Sequence, residues 1–164
     1  MKLFDLIKKK LFKKRPVKTG NHLVDFYNRI DEDSRLLSKH GRIEFLTTVK
    51  YVEKYLKDEM KLMEIGAATG RYSHYFAQKG FEVDAVELLE HNIEIFKRKT
   101  LPNEKVRIKQ GNAINLSEYP DESYDITLLL GPMYHLYTVA EQKKALEEAI
   151  RITKPGGYIF VAYC

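Results

Sequence analysis

The stretch from Lys61 to Gly70, KLMEIGAATG, constrains this chain more than any other. Leu62, Met63 and Ile65 read as a short buried strand, with Glu64 near its C-terminal end. Gly66-Ala67-Ala68-Thr69-Gly70 follow as a turn of small residues, and a helix-like segment runs from Arg71 to Ala77. A strand, a turn without bulk and a helix N-terminus together bring backbone N–H groups close to a ligand. A dinucleotide fingerprint wants small residues at relative positions 1, 3 and 6. Counting from Gly66, position 6 is Arg71, which disfavours a nicotinamide-dependent dehydrogenase. A tight turn with no ligand is the plain alternative, because a Gly-rich loop alone is weak evidence.

Downstream, strands and helices alternate. Lys79-Gly80 turns the chain into a second strand, Phe81 to Glu87. Glu87 ends that strand 21 residues after Gly66. A carboxylate at this place offers two acceptor oxygens to the vicinal diol of a ribose; its alternative role is to cap the next helix, Leu88 to Lys99. Val106 to Lys109 is a short, half-polar third strand suited to a sheet edge, followed by Gly111-Asn112-Ala113. Tyr124 to Leu130 is a fourth strand, apolar enough to be buried on both faces in the middle of a parallel sheet. The loop Gly131 to Tyr137 leaves its C-terminal end, where open α/β sheets bind ligands, and carries Tyr134 and His135. Ala140 to Thr153 reads as an amphipathic helix, with Ala145, Leu146, Ala149, Ile150 and Ile152 inward and Glu147 and Glu148 outward. Lys154-Pro155-Gly156-Gly157 stops it before a fifth strand, Tyr158 to Tyr163. The order predicts an α/β fold with a doubly wound, Rossmann-like, mostly parallel sheet.

Upstream of the first strand, apolar residues recur at helical spacing from Arg35 to Lys57, including Leu36, Leu37, Ile43, Leu46, Val49, Val52 and Leu56. This is one long helix or two broken near His40-Gly41, with Asp33 or Ser34 as N-cap. Three parts follow: a tail and linker over 1–20, a helical segment over 21–58 and the α/β domain over 59–164.

Charge is confined to the tail. The whole chain of 164 residues carries +5, yet residues 1–20 hold eight basic side chains against Asp5, so the rest sums to about −2. An argument from overall basicity to nucleic-acid binding therefore fails. Within the tail, Leu3, Phe4, Ile7 and Leu11 share one side of a helix, with Lys8, Lys9 and Lys13 turned away. Residues 2–15 then either lie on an anionic membrane surface, contact RNA phosphates or sit solvated on their own domain. The single cysteine, Cys164, excludes an internal disulfide and a cysteine-rich metal site, and no metal is expected. No run reaches the length of a membrane span and no signal-peptide core follows the first lysines, so a cytoplasmic setting is expected.

The elements Glu64-x-Gly66-x-Ala68-x-Gly70, Glu87, Gly111-Asn112-Ala113, Leu130-Gly131-Pro132 and Lys154-Pro155-Gly156-Gly157-Tyr158 occur in this order. Together they resemble the class I S-adenosylmethionine-dependent methyltransferases over roughly residues 40–164, and within them bacterial methyltransferase-domain proteins of the small-molecule type. Ala68 stands where the family has its middle glycine, a change that requires negative φ there. The resemblance implies S-adenosyl-L-methionine as cofactor, held by Glu64, Gly66, Ala67, Ala68, Thr69, Gly70, Glu87, Leu88, Asn112, Ala113, Leu130 and Gly131. Asn112 replaces a usual aspartate that accepts from the adenine amino group. Its amide oxygen can still accept, and a simple turn is the alternative.

The same resemblance implies methyl transfer to a small-molecule acceptor, with His135 as base and Tyr134 orienting the acceptor. Either His135 serves so or it packs under its loop. His74 is structural or a cofactor neighbour. Enzymes acting on nucleic-acid amines or glutamine carry Asn or Asp before Pro-Pro-Tyr at this loop, and here that place is Gly131. The family sheet ends in an antiparallel hairpin beyond strand five, which this sequence lacks. The expectation is a truncated fold that binds cofactor with or without catalysis, its exposed strand-five edge prone to self-association.

Overall fold

In a computed structural model, residues 38–162 are described. The tail and linker over 1–20, the segment 21–37 with its expected N-cap, and Tyr163 lie outside them. The elements run α1 (Lys39–Glu53), β1 (Lys61–Ile65), α2 (Arg71–Gln78), β2 (Glu82–Glu87), α3 (Glu90–Lys99), β3 (Val106–Gln110), β4 (Tyr124–Leu129), α4 (Val139–Ile152) and β5 (Thr153–Val161). A single 3-10 turn, Pro132–Tyr134, follows β4.

All four strand pairings are parallel, in the order β3-β2-β1-β4-β5. The chain reverses its direction of travel across the sheet between β1 and β4. Such a switch point opens a crevice outside the C-terminal ends of the strands. β3 is an edge strand as expected, and β4 is central, with Ile126 and Leu128 buried on one face and Leu129 on the other. On the first face, Val49 and Val52 of α1 and Tyr72, Phe76 and Ala77 of α2 cover Leu62, Val83, Ile126 and Leu128. Phe96 of α3 packs beside them on Ala67 and Ala85. The second face is closed by Ala145, Ala149 and Ile152 of α4 with Leu116 and Tyr119 from the loop after β3.

Helix α1 starts at Lys39 with Ser38 as its N-cap, whose hydroxyl accepts from the Gly41 N–H at 3.1 Å, close to the His40-Gly41 position expected for a break. Three expectations are corrected. Ile43 and Leu46 face outward, 57% and 61% exposed, because α1 touches the sheet only along its Val49–Val52 stripe. Ile150 is also exposed, whereas Glu148 is buried: its carboxylate accepts from the Leu116 N–H at 2.7 Å and pairs with Arg151 at 3.0 Å. Strand β5 begins at Thr153, with Lys154-Pro155-Gly156-Gly157 inside it as an irregularity in register. Thr153 pairs with Tyr124 there, and the Lys154 ammonium bonds the Asp125 carboxylate at 2.8 Å, which ties the segment to β4. Within the described residues β5 is an outer strand, and no helix is long and apolar enough to cross a membrane.

Candidate functional site

Four loops meet at the C-terminal edge of the sheet. After β1, the N–H groups of Gly66 and Ala67 both donate to the Val86 carbonyl, at 2.8 and 3.0 Å. Gly66 has φ 74, and a Cβ there would lie 2.7 Å from the Pro132 ring, so the β1 and β4 loops are in direct contact. Gly70, the N-cap of α2, has φ 86, and a Cβ there would meet the Phe96 ring at 2.3 Å. Both positions need glycine for conformation and for space. After β3, the Gly111 N–H donates to the Glu87 carbonyl at 2.9 Å.

Ala68 departs from expectation: its φ is 48, in the left-handed region, not negative. The cause is local. From that conformation the Ala68 N–H reaches the Glu87 carboxylate, Oε2, at 2.8 Å. The opposite oxygen, Oε1, accepts from the Leu89 N–H at 3.0 Å and from the Asn92 amide at 3.4 Å. One carboxylate therefore fixes the Gly-rich loop, the start of α3 and the end of β2 together. Of the two roles expected for Glu87, the structure shows the bracing of the α3 N-terminus, made from the end of β2.

Glu64 sits lower. It is 3% exposed, and its Oε2 accepts from the backbone N–H of Ser73 at 2.9 Å and from the Ser73 hydroxyl. Ser73 lies in the first turn of α2, so Glu64 satisfies an open N–H of that turn from the strand below. Burial pushes its carboxyl up to about 8; the Ser73 bonds oppose that rise and the nearby Glu87 charge adds to it. Glu64 thus carries the mostly neutral acid at pH 7.

His74 is buried behind the loop. Its Nδ1 lies 2.7 Å from Glu104 Oε2, its ring packs against Phe96 with centroids 4.4 Å apart, and its buried Nε2 has no hydrogen-bond partner among the described residues. Glu104 also accepts from Gln78 at 2.7 Å. This cluster supports Gly70 from behind, the structural one of the two roles expected for His74.

The remaining predicted residues fall around the same edge. Thr69 is buried within the loop, and Leu130 and Gly131 lead from β4 into the 3-10 turn. Tyr134 and His135 are half-buried at that turn, which the Pro132–Gly66 contact holds beside the Gly-rich loop. Met133, buried in the core, anchors it. Asn112 is exposed and Ala113 buried. Leu88 is 42% exposed immediately after Glu87, an apolar side chain left at the crevice. The sequence gives no role to Asn92 and Ser73, which brace Glu87 and Glu64, and does not reveal that the Pro132 ring lies against Gly66. Asn92 had a signal, five residues after Glu87 in a helix whose first turn faces that strand end.

The residues present fit S-adenosylmethionine. A carboxylate with two oxygens at the end of β2 suits a ribose diol, and the exposed Leu88 offers an apolar surface to a base. The small-residue turn admits close backbone approach.

Comparison with known proteins agrees. A family model described as a methyltransferase domain matches residues 63–161. The demethylmenaquinone methyltransferase of Paenarthrobacter aurescens (strain TC1) is 32% identical over 107 residues, covering 65% of this chain and 40% of that protein. That of Clavibacter sepedonicus is 30% identical over 102 residues, covering 62% and 40%. The chain thus spans about two-fifths of the length of these relatives. Among solved structures, the PH0226 protein of Pyrococcus horikoshii OT3 superposes with a TM-score of 0.72 at 22% identity, over 84% of this chain and 65% of that one. A S-adenosylmethionine-dependent methyltransferase of Methanosarcina mazei gives 0.63 at 23%, over 68% and 55%. These two likenesses show the fold. With the family model spanning the strands and loops that build the crevice, the chain belongs to the methyltransferase-domain family, the class I S-adenosylmethionine-dependent methyltransferases.

Proposed function

We propose that this chain carries out methyl transfer from S-adenosylmethionine to a small organic acceptor. The observation that carries the reading is the Glu87 carboxylate, which closes the β1 and β2 loops on each other at the C-terminal edge of the sheet, beside the crevice. Glu87 binds the ribose hydroxyls. Gly66 to Gly70 and Ala113 let the ligand approach the backbone, while Leu88 and Leu130 supply apolar walls. Glu64 acts through the loop by holding the first turn of α2.

The cofactor, when bound, supplies a sulfonium methyl that is already electrophilic. What the chain adds is alignment of the acceptor and exclusion of water, and positioning of this kind lowers a barrier substantially. Tyr134 orients the acceptor. His135, on the adjoining turn, takes the proton of a hydroxyl or thiol acceptor. Gly131 provides no side-chain acceptor for an amino group, which favours a hydroxyl, thiol or carbon nucleophile. The demethylmenaquinone methyltransferases among its relatives are named for a small organic acceptor, in keeping with this class.

Calorimetric titration of S-adenosylmethionine and of NAD into the same sample tests the reading. Saturable binding of the sulfonium compound without binding of NAD is expected. Binding of NAD alone, or of neither by a folded sample, would overturn it. A screen of hydroxyl, thiol and carbon acceptors for S-adenosylhomocysteine release then identifies the substrate, and His135→Ala is expected to slow turnover on hydroxyl or thiol acceptors by 100-fold or more, on the order of ordinary general-base contributions.

A further inference from the structure

We propose that Gln142 is a positioning residue for methyl transfer: from the start of α4 it holds the loop that carries Tyr134 and His135 beside the crevice. This rests on the roles assigned above to those two side chains. Gln142 begins the inward stripe of α4 that Ala145, Ala149 and Ile152 continue at helical spacing. Those three are apolar and fully buried, whereas Gln142, 4% exposed, carries an amide. Its Nε2 donates to the Leu136 carbonyl at 2.8 Å, and its buried Oε1 has no hydrogen-bond partner among the described residues.

Burying an amide with one end unpaired costs free energy that an apolar side chain of the same length would not. Packing of α4 on the sheet therefore does not call for glutamine at this place, and what the amide adds is the bond to Leu136. That carbonyl belongs to the residue next to His135. The N–H groups of His135 and Leu136 both donate to the Pro132 carbonyl, at 2.9 and 3.1 Å, which closes the turn locally. At the front of the loop Pro132 lies against Gly66, and at its rear Thr138 and Glu141 cap α4. Gln142 ties the stretch between these two ends to the helix. The backbone from which His135 projects is thereby restrained by α4 as well as by its own turn.

Gln142→Met keeps the length of the side chain and removes the donor, and Gln142→Leu serves as a second variant should the first not fold. Parent and variant are compared by backbone amide exchange and by the nitrogen NMR signals of the histidine rings, those of His135 being assigned by their loss in His135→Ala. S-Adenosylhomocysteine is titrated calorimetrically into each. Exchange at the His135 and Leu136 N–H groups is expected to quicken about 3- to 10-fold, the range for one net hydrogen bond, while β1 and β4 stay within about twofold. The His135 ring signals are expected to shift and those of His74 to stay, with S-adenosylhomocysteine bound within about twofold of the parent. Unchanged exchange and ring signals in a folded variant would overturn the inference and leave the cofactor reading intact. Faster exchange with unmoved His135 signals would reduce Gln142 to a structural tie, and loss of the fold in both variants would make it a residue of the core; either overturns the positioning role. Failure of the folded parent to bind S-adenosylhomocysteine would instead overturn the cofactor reading, and this inference with it.

Discussion

Ala68 donates its backbone N–H to Glu87 at 2.8 Å from a left-handed conformation, φ 48. An L-residue other than glycine takes that conformation at a cost of about 1–2 kcal/mol. The bond to a carboxylate recovers about that much, since charged hydrogen bonds contribute roughly 1.5–3 kcal/mol. The loop is thereby shaped before any ligand arrives, and the residue that shapes it is the one assigned to the ribose.

Replacing Ala68 by glycine is therefore expected to leave stability unchanged or to raise it by up to about 1 kcal/mol, with relief of backbone strain set against the greater freedom of the unfolded chain. Urea denaturation of Ala68→Gly measures this. A loss above about 1 kcal/mol would show that the methyl group, not the backbone, matters at this position.

Gly70→Ala should behave in the opposite way. The added methyl would lie 2.3 Å from the Phe96 ring and 2.8 Å from His74 Nε2, at φ 86. Overpacking and backbone strain together predict a loss of about 2–4 kcal/mol. The same denaturation series reads it, and the circular dichroism of the folded fraction should be unchanged.

Glu64 gives the fold a pH dependence of definite sign. Its carboxyl is raised from 4.5 to about 8 by burial, so the native state holds its proton more tightly than the unfolded chain does. Stability from this group is fully present below about pH 4.5 and declines as pH rises towards 8. Glu64→Gln keeps an oxygen for Ser73 and cannot ionise. Between pH 5 and 8 the parent is expected to lose more stability than Glu64→Gln, and parallel profiles would contradict the assignment.

Glu104 has the reverse sign. Burial works to raise its carboxyl, but bonds from Gln78, His74 and the Leu101 N–H outweigh it and hold it below the usual value. Its contribution is present above about pH 4.5 and fades as pH falls through its lowered folded value. Glu104→Ala strips partners from His74 and Gln78 and should cost about 1–3 kcal/mol at pH 7. Thermal melts at pH 7 and pH 3.5 measure both effects: the gap between parent and variant should narrow in acid.

The alternation of apolar strands with amphipathic helices made the sheet legible, because a central strand such as β4 must be apolar on both faces. The places of the Gly66–Gly70 loop after β1 and of Glu87 at the end of β2 were legible because a small-residue turn and a strand-end carboxylate stand out at that separation. What the sequence hid was tertiary. Ile43 and Leu46 keep helical spacing with Val49, yet only the latter meets the sheet, and spacing alone does not reveal which part of a stripe is covered. Glu148 looked like a solvent-facing charge, and a loop amide 32 residues away makes it a buried acceptor. Ala68 looked like a residue at negative φ because the long-range bond that turns it was invisible. The capping box of α4, Thr138 with Glu141, was in plain view as T-x-x-E and went unread.

Affinity for S-adenosylmethionine in the parent and in Glu87→Ala is the most direct measurement of the central claim. If Glu87 both reads the ribose and closes the loop on itself, the variant should remain folded by circular dichroism and lose at least about tenfold in affinity, the equivalent of one charged hydrogen bond. A folded Glu87→Ala protein that binds as tightly as the parent would contradict the claim.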